Sequence, residues 1–297
     1  MYNEDTMDRS ALEKIMERLP DYLDMSDVDR IDICESEKNN GVIMPGIRVR
    51  YKSTPIMPCI YPPSFFSLPP DLAAKRAADE IEKRLEAAKA LYESGELKTN
   101  WRNRVFISLV HYEMNKKMLK SCIYRKFFDL AAVVRWYIPL AEDGGVMICP
   151  KGISESLGVT EEEFFQEAKR NTRRLFTPES ENLAKYLARY NPVQVEEEEE
   201  DEIPIYILTH SGRTFGAVMM IYPDVLKELA EEMHGSYFLI PSSVHEVLAL
   251  PADEKANKDA LREIVSSVNE TSLDKTEILS YTVYYYDEKS AEISVFA

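Results

Sequence analysis

The sequence lacks most of the features that announce a chemistry. Its four cysteines, Cys34, Cys59, Cys122 and Cys149, include no C-x-x-C pair and are too sparse for a disulfide framework in a chain of 297 residues. Each has an apolar or aromatic neighbour, which predicts small buried thiols in a reducing cytoplasm. Histidine is equally scarce. His111, His210 and His234 stand alone, and His245-Glu246 has Ala249 where a zinc-binding helix needs its second imidazole. No metal and no cofactor is therefore expected. Neither the G-x-x-x-x-G-K-[ST] nor the G-x-G-x-x-G pattern occurs, so the usual phosphate cradles are missing, and so is the G-x-S-x-G elbow of the α/β-hydrolases.

Long apolar runs are missing too. The most apolar stretch, Phe127 to Ala141, is broken by Asp129, Arg135 and Pro139 and is too short to span a bilayer. Residues 1–10 carry charges and no apolar segment of the secretory kind. Basic clusters are also lacking. Against 52 acidic side chains stand 36 basic ones, a net charge of −16. Nucleic acid recognition needs concentrated Lys and Arg to neutralise phosphates, and an anionic membrane surface would repel this chain. The composition predicts an acidic cytoplasmic protein with neither nucleic acid nor membrane as partner.

What is present suits a folded α+β protein. Hydrophobic residues make up 45% of the chain, enough for a sizeable core. A helix is predicted from Met7 to Leu19, with Leu12, Ile15, Met16 and Leu19 on one face and Pro20 ending it. Strand-like runs follow at 30–34, 47–51 and 56–61. In the second, Ile47, Val49 and Tyr51 alternate with Arg48 and Arg50. A long helix runs from about Asp71 to Ser94, with Gly95 as its stop. Residues 104–111, 130–138 and 145–148 read as strands. Thr160 and Glu163 form a capping box that opens a helix carrying Phe164, Phe165, Ala168 and Leu175. Glu196 to Glu202 is almost purely acidic and predicts an extended loop near 195–202.

Beyond it, 205–209 and 215–221 read as a hairpin turning on His210-Ser211-Gly212-Arg213, followed by a helix from Pro223. Strands at 237–240 and 246–250, a helix at 255–269 and a last hairpin from Tyr281 to Phe296 complete the chain. From Leu130 on, a strand pair followed by a helix recurs three times. Short connections favour antiparallel neighbours, so the expected architecture is antiparallel or mixed sheets with helices mainly on one face. Residues 1–98 are expected to form an N-terminal segment and 99–297 the main domain.

The most chemical string is Ser242-Ser243-Val244-His245-Glu246. A serine hydrolase needs a hydroxyl, a base and an acid to orient the base, and these types are all here. The same string also reads as a turn whose hydroxyls satisfy local backbone groups. Arg213, in the glycine-flanked loop Gly212-Arg213-Thr214-Phe215-Gly216, is a candidate anion donor, though Gly212 also suits a plain turn. Tyr284 and Tyr286 alternate with Tyr281, Val283 and Tyr285. One of these two faces must be core, and tyrosines on the other would suit a protein contact. Two functions stay open: a non-catalytic protein binding a protein partner or small ligand, and a small serine-type hydrolase.

Several strings together resemble an uncharacterised family of anaerobic, often gut-dwelling, Gram-positive bacteria. They are Tyr206-Ile207-Leu208-Thr209, Gly216-Ala217, Tyr222-Pro223-x-Val225-Leu226-Lys227 and Leu239 to Val247. Upstream stand Tyr112-Glu113-x-Asn115-Lys116, Phe128-Asp129-Leu130-Ala131 and Gly158 to Glu162. Val268 to Thr271 and Val283 to Tyr286 complete the set. The resemblance covers the chain from about Asn100 onward. It implies a bacterial cytosolic protein and no particular activity, and it makes the acidic run an insertion within the shared region.

Overall fold

The computed structural model describes residues 9–54, 56–61, 65, 68–139, 144–190, 204–241, 243–252 and 257–297. The acidic run near 195–202 and Ser242 lie outside them. The chain divides into two compact units, one of residues 1–38, 42–104 and 137–147, the other of 39–41, 105–136 and 148–297.

In the first unit, helix α1 (Arg9–Arg18) buries Leu12 and Ile15, and a short 3-10 turn carries Pro20. Strands β1 (Val28–Glu37), β2 (Ile43–Tyr51) and β3 (Cys59–Ile60) form an antiparallel sheet in that order. The alternation in β2 is realised: Ile47, Val49 and Tyr51 are buried, while Arg48 reaches across to Asp32 with two hydrogen bonds of 2.9 and 3.0 Å. Helix α2 (Pro70–Glu93) presents Ala73, Ala74, Ala77, Ala78, Ile81 and Leu85 to the core. Four alanines on one face let the helix backbone lie close to its neighbours. A short helix α3 (Glu96–Thr99) follows. Cys34 and Cys59, far apart in sequence, have their Sγ atoms 2.8 Å apart.

The second unit contains two sheets. Strand β4 (Val105–His111), helix α4 (Lys116–Leu119), and strands β5 (Tyr124–Phe127) and β6 (Leu130–Ile138) precede α5 (Ile153–Ser156) and α6 (Glu161–Leu175), while the last two residues of β6 and all of β7 (Gly145–Ile148) but Ile148 are counted with the first unit. Strand β6 lies between β4 and β5, antiparallel to both, with β7 also paired to β6. The capping box forms: Thr160 Oγ1 accepts from the Glu163 amide at 3.1 Å, and Glu163 accepts from the Thr160 amide at 2.9 Å. Helix α6 also shields β4. Thr172 Oγ1 accepts from the Ile107 amide at 2.9 Å, and Asn171 donates to the Val105 carbonyl at 3.0 Å. Side chains thus occupy backbone groups that a sheet edge would otherwise offer to another strand.

The larger sheet has the order β13-β12-β10-β11-β9-β8. Its strands are β8 (Pro178–Asn182), β9 (Tyr206–His210), β10 (Tyr237–Ile240), β11 (Val247–Pro251), β12 (Tyr284–Asp287) and β13 (Glu292–Val295). Helices α7 (Leu183–Tyr190), α8 (Pro223–Met233) and α9 (Lys258–Thr271) complete the unit. All its strand pairings among the described residues are antiparallel. The α+β class therefore holds.

One expected hairpin does not form. Residues 215–221 do not pair with β9; Gly216–Ile221 is a 3-10 helix, and β8 takes the place beside β9. The physical reason lies in burial. A half-buried strand alternates, but Gly216, Ala217, Val218, Met219 and Met220 are all buried. The backbone of Phe215, at φ +66°, turns the chain out of the strand direction just before them.

Candidate functional site

The loop joining β10 to β11 carries the hydroxyl, imidazole and carboxylate singled out in the sequence. Ser243 is buried, and its hydroxyl donates to Glu246 Oε1 at 2.5 Å while accepting from the His245 amide at 3.0 Å. This is local backbone satisfaction by a serine. The imidazole of His245 is turned elsewhere. Its Nδ1 accepts from the Phe215 amide at 3.2 Å, and its Nε2 lies 3.7 Å from Glu277 Oε1. The nitrogen that could act as a base is taken by a backbone N–H, and the Ser243 proton goes to a carboxylate rather than to the ring. The three types are adjacent in sequence without forming a hydroxyl–imidazole–carboxylate relay in space.

That loop is tied to strand β9. The His245 carbonyl accepts from Thr209 Oγ1 at 2.8 Å. Gly216 sits against both: a Cβ there would lie 2.1 Å from Thr209 Oγ1 and 2.5 Å from the His245 carbonyl oxygen. Within this loop Arg213 and Phe215 both hold positive φ, +52° and +66°. For a bulky residue such as Phe that conformation is costly, and it persists only where the surroundings impose it. Here the imposing contacts are the His245 ring, stacked on Phe215 with centroids 5.9 Å apart, and Phe106 at 6.3 Å.

Arg213 points to the sheet edge. Its guanidinium lies over the Tyr186 ring at 5.4 Å, and Nη2 is 3.9 Å from Glu179 Oε2. Beside it opens a cavity of about 430 Å³ whose lining includes Glu179, Ser180, Glu181, Tyr186, Ile207 and Thr209. Strand β8, with the sequence Pro-Glu-Ser-Glu-Asn, has little strand propensity and gave no signal for this wall. Once β8 is paired with β9, Glu179 and Glu181 fall two apart along one strand and so project from the same face.

Tyr284 and Tyr286 are both core residues, at 0% and 1% exposure, so they form no contact surface. The alternation is right, and the face they share is the buried one. Tyr286 stacks on Tyr237 with centroids 5.0 Å apart, and Tyr237 donates to the Leu226 carbonyl at 2.8 Å. Tyr284 donates to Asp129 Oδ1. Ser280 and Thr282 donate to the other oxygen of Asp129 at 2.5 and 3.1 Å. His111 Nε2 stands 3.9 Å from that oxygen, while its Nδ1 accepts from the Met114 amide at 3.1 Å. Burial lowers the His111 pKa against the opposing pull of Asp129.

In the sequence Asp129 and Arg135 read as charges that interrupt an apolar run. Both are structurally engaged. Arg135 is buried on β6, opposite Phe106 on β4. Its guanidinium lies over the Phe215 ring at 4.0 Å. The available signal was a single cation inside the otherwise apolar string Leu130-Ala131-Ala132-Val133-Val134-Arg135-Trp136.

Fold and site together describe an α+β protein with three antiparallel sheets among the described residues and a polar cavity at one sheet margin. No helix among the described residues is long and apolar enough to cross a membrane. The sequence model named Family of unknown function (DUF5688) matches residues 10–288, and the chain belongs to that family. No curated protein and no solved structure matches the chain.

Proposed function

We propose that the protein is a non-catalytic binding protein whose ligand is a small organic cation held in the cavity against β8, β9 and α7. The observation that carries this reading is the lining of that cavity. Two carboxylates, Glu179 and Glu181, and the Tyr186 ring surround a volume within the range of small-molecule sites. Carboxylates and an aromatic face are the groups that hold an ammonium or guanidinium. The chain's own Arg213 already rests on that ring and near Glu179, which illustrates the preference.

Calorimetric titration with spermidine and with free arginine, against uncharged analogues, tests the reading. Expected is saturable binding of the cations only, weakened about tenfold or more by Glu179→Gln, which corresponds to about 1.4 kcal/mol. Absence of heat with every cation, or binding indifferent to Glu179, overturns it. The hydrolase alternative would require Ser243 to leave Glu246 and the His245 ring to leave the Phe215 amide. Labelling by a fluorophosphonate that Ser243→Ala abolishes would favour it.

A further inference from the structure

Arg135 is 9% exposed, and no carboxylate among the described residues pairs with it. Its Nε donates to Ser108 Oγ at 2.5 Å, and the Phe215 ring covers one side of the guanidinium. The two Nη groups make no hydrogen bond to a described residue, yet they are not sealed from solvent. The ionisable groups whose charge acts on it are Cys122 and Cys149, and burial pushes their thiols up to about 11 and about 12. Both stay neutral near pH 7 and supply no counter-charge. Desolvation lowers Arg135 itself to about 10, so it remains a cation there.

A buried cation without a counter-ion costs free energy that a hydrophobic side chain would not. Something on the outside of the fork has to compensate. With Nε committed to Ser108, the two Nη groups form the end-on fork that matches the two oxygens of a carboxylate. The surroundings are apolar: Phe106 lies opposite Arg135 across the β4–β6 pair, and the Val133 side chain shares that face. A phosphate dianion would leave charge uncompensated among such walls, whereas a monocarboxylate matches the single positive charge.

We propose that Arg135, with Ser108 and Phe215, forms a binding site for a small organic carboxylate. It shares no residue with the cavity at β8 and β9, so either site can fail without the other.

The test is thermal unfolding of the full chain at fixed ionic strength with sodium benzoate, acetate or inorganic phosphate, and with benzamide as the neutral control. Benzoate is expected to raise the midpoint in a saturable way, and benzamide is not. Arg135→Met is expected to abolish the benzoate shift and, without ligand, to unfold at the same or a higher temperature than the parent. A purely structural arginine would instead give a lower midpoint with the shift retained. Arg135→Lys keeps the charge, loses the fork and is expected to lose the shift, so the test survives if the Met variant does not fold. No shift with benzoate, a shift retained in both variants, or a shift with phosphate alone overturns the proposal.

A second observation stands independently. The thiols of Cys34 and Cys59 touch across the first sheet at 2.8 Å, and neither is fully buried. We infer that the pair is a two-electron redox site that closes to a disulfide. A disulfide oxidant such as oxidised glutathione accepts the two electrons: one thiolate attacks it, one glutathione thiol leaves, and the second cysteine displaces the other, with the protons ending on the two glutathiones. Burial and the neighbouring thiol push Cys59 upward, so the exchange is expected to be faster at alkaline pH. Peptide mapping of the oxidised full chain should show Cys34 joined to Cys59, with Cys122 and Cys149 still alkylable after denaturation. Recovery of Cys34 and Cys59 as free thiols, or as separate glutathione adducts, overturns it.

Discussion

Two histidine-bearing clusters in the second unit invite comparison. At the β10–β11 loop, Ser243, His245 and Glu246 are near neighbours in sequence, and each satisfies a different local partner. Around Asp129, a carboxylate gathers hydroxyls from Ser280, Thr282 and Tyr284 and stands near His111, although those hydroxyls come from more than 150 residues away. The first looks chemical in the sequence and folds into a turn. The second is scattered through the sequence and forms the denser polar network. Short polar side chains close together in sequence find backbone groups before they find one another. A network that ties distant segments is assembled only by the tertiary fold.

The difference can be broken open most forcefully at Asp129. Asp129→Ala leaves the Tyr284 hydroxyl buried without an acceptor and removes two further bonds. A loss of about 3 kcal/mol is expected from denaturant unfolding. A loss below about 1 kcal/mol would show the network to be dispensable.

A comparable effect should come from acid, through a third histidine. His210 is buried, stacks on Phe176 at 4.3 Å, and accepts from the Gly212 amide through Nδ1. Desolvation takes its pKa from 6.5 down to about 4. The unfolded chain therefore binds this proton first as pH falls. Stability is fully present above about pH 6.5 and is lost progressively toward about pH 4, by up to about 3 kcal/mol. His210→Gln should remove that part of the slope in denaturant midpoints measured across the window, and an unchanged slope would refute the assignment.

The smallest effect is expected where the sequence looked most active. Ser243→Ala should cost about 1 to 1.5 kcal/mol, the value of a local hydrogen-bonded turn. A far larger loss would place the loop on a par with the Asp129 network.

Much of the fold was legible because its elements carry local signals. The α6 capping box, Pro223 at the start of α8, and the alternation in β2 all depend on residues within a few positions of one another. The sites were less legible. β8 is a strand because β9 pairs with it, against the propensity of Pro-Glu-Ser-Glu-Asn, so the cavity wall could not be foreseen. The 3-10 segment after Phe215 reads as a strand because an apolar run does not say which way it faces. Arg135 shows itself only as an interruption, since nothing local reveals that it has no counter-ion among the described residues.

The close approach at Gly216 reaches beyond this one chain. A methyl group there would collide with a side-chain oxygen of β9 and a backbone oxygen of the loop after β10. Across the family, the position should therefore accept no substitution unless residue 209 and the loop at 245 change with it. Evolution would have to alter three sites together, which makes this glycine a sensitive marker of which relatives keep the same join between β9 and the loop after β10.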